Sequence, residues 1–271
     1  MFGVVTRNKT EVSWPEFNRA FYEVKDVTGR TTDPVQGSTS MISCFGDNRV
    51  REDDPSLVPV SEDGEMATRD RKYFDWSYVC PNATEYRAQL LKKISAAAEV
   101  TTDLRLDDIG FPRPEYCHCT RCERAFADSD TDDWWEWRND VIAEFVSEAS
   151  ERIPGRVYMT LYPNPYPNHL SKRAGIAPET LAGSVDEFVI PLYDLSYSTT
   201  YWLEILAQGF QDALSKPFSI ELYAVNVDHD NLVQASTVAD NYAHSVLYAY
   251  DAEAAKAVVT ELRESGIADS D

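Results

Sequence analysis

FSIELYAVNVDHDNLVQASTVADNYAHSVLYA, residues 218–249, decides the fold. Its two apolar runs, 218–225 and 245–249, are short and rich in residues that suit buried strands, while 231–242 between them has helical spacing. Strand, helix and strand in that order make one unit of a parallel sheet. Working outward, 187–192 (EFVIPL) and 157–161 (VYMTL) are strands of the same kind, and 178–182, 200–214 and 252–264 carry helix formers,. Upstream, 104–109 (LRLDDI) reads as a strand between helices at 83–98 and 134–152, and 2–6 and 41–45 add two more strands. That makes seven. The eighth is expected at 74–79 (FDWSYV).

Eight units spread over 271 residues average about 34 each, which suits a (β/α)8 barrel filling one domain, 1–271,. If 74–79 were loop, the barrel would have an irregular or missing N-terminal unit, and a second copy of the chain would be expected to cover the exposed edge as a homo-oligomer. An open doubly wound sheet needs the same alternation, but neither GxGxxG nor GxxxxGK[ST] follows any strand,.

The chain has 46 Asp and Glu against 25 Lys and Arg, a net charge of −21, with the basic set made of 8 Lys and 17 Arg. Such a balance excludes binding nucleic acid by phosphate neutralisation, because no basic patch stands apart from the carboxylates. Dense carboxylates with few lysines fit a halophile, where salt screens self-repulsion. No window approaches the roughly 18 apolar residues of a membrane span and no basic leader precedes an apolar stretch, so a cytoplasmic protein without membrane contact is expected.

The sharpest local signal is Cys117-His118-Cys119-Thr120-Arg121-Cys122. Three thiolates in six residues can close on one tetrahedral ion, and zinc is the usual occupant of such a sulfur-rich site without redox work. Cys80 is the expected fourth ligand, placed beside the cluster if 74–79 is the preceding strand. Cys44, inside MISCF, reads as a small buried hydrophobe. A closed four-sulfur site of this type is structural.

In Asp103–Pro112, strand alternation puts Arg105 and Asp107 on one face and Leu104, Leu106 and Asp108 on the other,. With the leucines toward the helices, Arg105 and Asp107 project into the barrel, where the guanidinium would hold the carboxylate ionised as a nucleophile or base. Glu221, between Ile220 and Leu222, is the expected partner acid, since an unpaired carboxylate in an apolar strand is costly. Asp194 and Asp251 are reserves. Two carboxylates on separate strand ends are the minimal apparatus for glycoside hydrolysis. Tyr162, Tyr193, Tyr223 and Trp202, with Asp194, would line the cleft for a carbohydrate. The competing expectations are a metal-dependent hydrolase built on Asp107, Asp108 and a histidine, and a carbohydrate-binding barrel without turnover. No G-x-S-x-G elbow supports a serine hydrolase.

VCPNATEYRAQLL (79–91), followed by DLRLDDIGFPRPEYCHCTRC (103–122), resembles glycoside-hydrolase-like TIM-barrel proteins, in which a CPN-x-x-EYR helix start precedes an LD-x-I-x-FP strand end. The cysteines are similar to the structural zinc site of family forty-two β-galactosidases, which implies Cys80, Cys117, Cys119 and Cys122 as ligands. The same resemblance implies Asp107 as the carboxylate at that strand end, and with the acidic composition it points to a haloarchaeal relative. The Asn-Glu pair of that family is absent here.

Overall fold

The computed structural model describes residues 1–266. Eight parallel strands close in chain order: β1 Phe2–Thr6, β2 Arg19–Lys25, β3 Thr39–Ser43, β4 Leu104–Asp107, β5 Val157–Thr160, β6 Glu187–Pro191, β7 Phe218–Tyr223 and β8 Ser245–Ala249, with β8 pairing back onto β1. This is a (β/α)8 barrel.

The eighth strand lies elsewhere than expected. Residues 74–79 are loop, joined to the chain after β3 by a single bridge, Gly46 to Tyr78. The strand is β2, RAFYEVK, hidden in the sequence by Arg19, Glu23 and Lys25. Its alternation nonetheless holds as far as Val24, for Ala20, Tyr22 and Val24 pack outward while Phe21 joins the barrel interior, and its register with β3 shifts between Glu23 and Lys25,. Because β1 pairs with β8, the open edge that would have called for a second copy of the chain does not exist. The first two units are irregular all the same. Only a three-residue turn, Glu11–Ser13, stands between β1 and β2, and Val12, Trp14 and Phe17 cover Val4 and Ala20 where a helix would otherwise pack.

The later units follow local rules. Asp133 caps the helix Trp134–Ser150 by accepting from the backbone N–H of Trp135 at 2.8 Å, and Trp137, Val141, Ile142, Phe145 and Ala149 recur on its buried face,. Asp251 caps Ala252–Glu264 through Ala254 N–H at 3.0 Å, which explains this reserve carboxylate as a helix start. Among the described residues no helix is long and apolar enough to cross a membrane.

Two cores result. Leu104, Leu106, Ile190 and Ile220 point outward into the layer between sheet and helices, each contributing about 1.5–3 kcal/mol on burial,. Inside, Val5, Phe21, Met41, Tyr158, Val189 and Leu247 form a second cluster. Below it, at the N-terminal end, Glu187 is wholly buried and accepts from Arg19 at 3.1 Å on both oxygens, from Arg156 at 3.2 Å and from the Ser219 hydroxyl. The Tyr158 ring lies under both guanidinium groups.

Candidate functional site

At the opposite end, where barrel active sites lie, the carboxyl ends of the strands enclose a cavity of about 550 Å³. Arg105 forms its floor. The alternation of β4 turns this side chain inward, and one of its terminal nitrogens donates to Glu221 Oε2 while Nε donates to Thr160 Oγ1 at 2.9 Å. Its other terminal nitrogen lies 3.8 Å from Asp107 Oδ1, and the guanidinium rests over the Phe21 ring. Burial works against that charge, but Glu221 and Asp107 outweigh it and raise the arginine above its ordinary pKa,. The Tyr193 hydroxyl donates to Glu221 Oε1. Burial, reinforced by the charge of Glu221, pushes this phenol well up, so it remains a donor. Both oxygens of Glu221 therefore accept from protein.

Asp108 departs from the expectation that placed it outward with the leucines. β4 ends at Asp107, and Asp108 takes φ +50°, a left-handed conformation that Asp tolerates better than most residues and that swings the carboxyl into the cavity,. Burial there pushes its pKa up to about 8, and the charge of Asp107 adds to this against the pull of Ser43 and Lys25,. Strand alternation stops applying one residue before Asp108, which is why the sequence pattern misplaced it.

Glu23, Arg7 and Tyr250 form a further wall, of which the sequence pattern pointed to Tyr250 as a rim aromatic but not to Arg7 or Glu23, hidden along with β2. Arg7 Nε donates to Glu23, the Tyr250 hydroxyl donates to it at 3.2 Å, and Arg7 lies over the Tyr250 ring at 4.7 Å. Burial raises the Glu23 carboxyl despite Arg7. Tyr250, at the end of β8, has φ +71°. Non-glycine residues in this region cost on the order of 1–3 kcal/mol each, and two of them, Asp108 and Tyr250, end strands at the cavity.

Among the expected cleft residues, Tyr162, Tyr193 and Trp202 line the cavity, joined by Trp76. Tyr223 and Asp194 do not. Tyr223 packs behind Tyr193 with ring centroids 5.5 Å apart, and Asp194 accepts from Ser196 N–H at 3.0 Å to close a turn. Among the described residues no histidine lines the cavity.

Cys80, Cys117, Cys119 and Cys122 converge, all four sulfurs lying within 4.8 Å of one another, and Cys44 stands apart, buried in the core. Cys80 Sγ lies 3.3 Å from Cys122, 3.7 Å from Cys117 and 3.8 Å from Cys119, and Cys117 lies 3.2 Å from Cys119. A tetrahedral ion with sulfurs at about 2.3 Å needs sulfur separations of about 3.8 Å, so the cluster could hold a metal,. Cys80 reaches it from a loop rather than from the strand end expected, with its N–H donating to Leu57 O at 2.8 Å.

No protein-family model matches the chain, and no curated protein matches it. Solved structures do. An alpha-L-fucosidase isoenzyme 2 from Paenibacillus thiaminolyticus superposes with TM-score 0.65 at 12% identity, covering 98% of this chain and 50% of that one. This chain thus spans about half the length of that fucosidase. A family GH18 chitinase from Cycas revoluta matches with TM-score 0.58 at 9% identity, covering 98% of this chain and 99% of that one. A Bacillus subtilis mannanase matches with TM-score 0.50 at 12% identity, covering 95% and 82%. At such identities the likeness is one of fold.

Proposed function

We propose that the cavity hydrolyses a glycosidic bond. One arrangement carries this reading: Asp108, a carboxyl whose burial raises its pKa, and Glu221, a carboxylate whose oxygens both already accept, face one cavity from the ends of β4 and β7. Acid-assisted glycoside cleavage requires two such groups in opposite protonation states. Asp108 donates its proton to the glycosidic oxygen as the bond to the anomeric carbon breaks. Glu221 supplies the electron pair, directly or by taking a proton from water. This departs from the expectation of Asp107 as nucleophile or base and Glu221 as acid: Glu221 takes the base's part and Asp108 the acid's, since a proton on Glu221 would displace the Arg105 or Tyr193 donor. Arg105 positions Glu221, and burial, with the charge of Asp107 added, favours the protonated form of Asp108. The fold it shares with a fucosidase, a chitinase and a mannanase supports the reading, as do Tyr162, Tyr193 and Trp202, whose rings suit sugar faces,. A metal-dependent hydrolase finds no histidine beside Asp107 and Asp108 among the described residues.

The four-cysteine cluster we assign to a structural zinc, on its all-sulfur donor set and the convergence of the four sulfurs within 4.8 Å of one another,. The net charge of −21 fits a salt-adapted protein that resembles family forty-two β-galactosidases remotely,.

Turnover of a panel of nitrophenyl glycosides tests the assignment. Asp108→Asn and Glu221→Gln should each lower kcat by roughly a hundredfold or more, with the melting temperature of Asp108→Asn maintained. Because the acid must carry its proton, wild-type kcat should fall as pH rises through about 8. Saturable sugar binding with no turnover on any substrate would favour the non-catalytic binding barrel instead. Metal analysis should return one zinc per chain, removed by no mild chelation that leaves the fold intact.

A further inference from the structure

The cavity has three arginines on its wall, and two are already matched: Arg7 by Glu23 and Arg105 by Glu221. The third, Arg173, forms no ion pair among the described residues, and its Nε is buried without any hydrogen-bond partner. That is unexpected in a chain with 46 acidic residues against 25 basic ones. A partly buried guanidinium on a cavity wall, with its Nε shut off from water, is expected to find a carboxylate unless something else is to occupy its donors,.

The group is nonetheless held in place. It lies over the Tyr162 ring at 4.7 Å, and that ring is fixed by a hydrogen bond of 2.9 Å between the Tyr162 and Tyr78 hydroxyls. Burial pushes the Tyr162 phenol up to about 12, so this partner remains neutral and supplies a ring face rather than a charge,. Arg173 sits in the last turn of the helix His169–Ala174, whose end is clamped by the buried Arg138: one terminal nitrogen donates to Lys172 O at 2.9 Å and the other to Arg173 O at 3.2 Å. Asp108 acts electrostatically on Tyr162, which places this corner beside the group assigned as proton donor.

We infer that the cavity takes a saccharide bearing an anionic substituent, a carboxylate or a sulfate ester, which the planar fork of Arg173 binds beside Tyr162. This rests on the carbohydrate reading of the same site and narrows it to acidic sugars. Arginine matches the two oxygens of either anion bidentately, and the Tyr162 face prevents the fork from turning away.

Calorimetric titration with matched probes tests this: digalacturonic acid against its methyl ester, and a 6-sulfated N-acetylgalactosamine disaccharide against its desulfated form. At least one acidic probe should bind about tenfold or more tightly than its neutral counterpart, with the advantage shrinking as salt is raised. Whichever pair shows the advantage identifies carboxylate or sulfate. Arg173→Gln should bring the ratio near unity, and Arg173→Lys should leave part of it; if the glutamine variant does not fold, the lysine variant carries the test. Equal binding of acidic and neutral probes, an advantage that survives Arg173→Gln, or no binding by any probe would each overturn the inference. Acidic saccharides that bind but are never cleaved would preserve it and remove the hydrolase reading. Cleavage of neutral glycosides with no acidic preference would do the reverse.

Discussion

Each end of the barrel buries a glutamate against arginine, with opposite bookkeeping. At the N-terminal end one carboxylate, Glu187, serves two guanidinium groups, Arg19 and Arg156, with the Ser219 hydroxyl besides. At the C-terminal end one guanidinium, Arg105, serves two carboxylates, Glu221 and Asp107, with Asp108 close by. Phe21 separates the two layers, its ring lying under Arg105 and edge-on to Tyr158, which in turn lies under Arg19. The lower cluster is closed by ring and chain, whereas the upper one opens on a cavity of about 550 Å³. The same ion-pair chemistry therefore serves two purposes. Surplus positive charge is relieved below because Arg156 reaches solvent, and surplus negative charge is retained above, where it adds to burial in raising one carboxyl to about 8.

Exchanging glutamate for glutamine at each end separates the two purposes and gives the largest expected effects. Glu187→Gln leaves Arg19 and Arg156 facing each other without a counter-charge, and should lower the unfolding free energy by about 3 kcal/mol or more. Turnover per folded molecule should change little, since the cavity is a barrel length away. Glu221→Gln should do the converse. Asp107 remains to face Arg105, so the loss of stability should be smaller, while activity disappears. Denaturant melts of both variants, read with their kcat values, decide the matter. Similar stability losses at both ends with turnover intact in each would mean that Glu221 is a second structural plug.

Much of this was legible in the sequence, and the misses have physical causes. The period-two pattern of LRLD placed Arg105 inside and the leucines outside, because a strand obeys its alternation wherever one face is apolar,. Glu221 stood out as an acid in an apolar run, and the cysteines carried their own spacing. β2 was lost because Arg19, Glu23 and Lys25 break up its apolar run, so its apolar signal rests on the short stretch Ala20, Phe21, Tyr22 and Val24. FDWSYV took its place because aromatic residues that pack a long loop have the composition of a strand. Asp108 and Arg173 needed backbone geometry: one lies a residue past the end of an alternation, the other on a six-residue helix whose pairing no spacing rule reports.

The smaller effect sharpens the comparison through pH. The folded pKa of Asp108, about 8, lies above the ordinary aspartate value of 3.8, so between these limits the native state holds a proton that the unfolded chain has released,. The stabilising contribution of this proton is complete below about pH 4, declines as pH rises and is exhausted above about 8. Summed over that interval it amounts to at most a few kcal/mol, since each pKa unit is worth about 1.4 kcal/mol and the cavity admits water. Asp108→Asn carries no titrating group and should lack this slope. The stability difference between variant and wild type should therefore grow in favour of the variant from pH 4 to 8 and then level off. Repeating the titration on a Glu187→Gln background should give the same difference curve, because the two clusters are separated by the Phe21 layer,. A curve that moved when the lower glutamate was replaced would show that the barrel ends share one electrostatic network. A flat curve in the wild-type background would mean that Asp108 is ionised at neutral pH and does not serve as the proton donor.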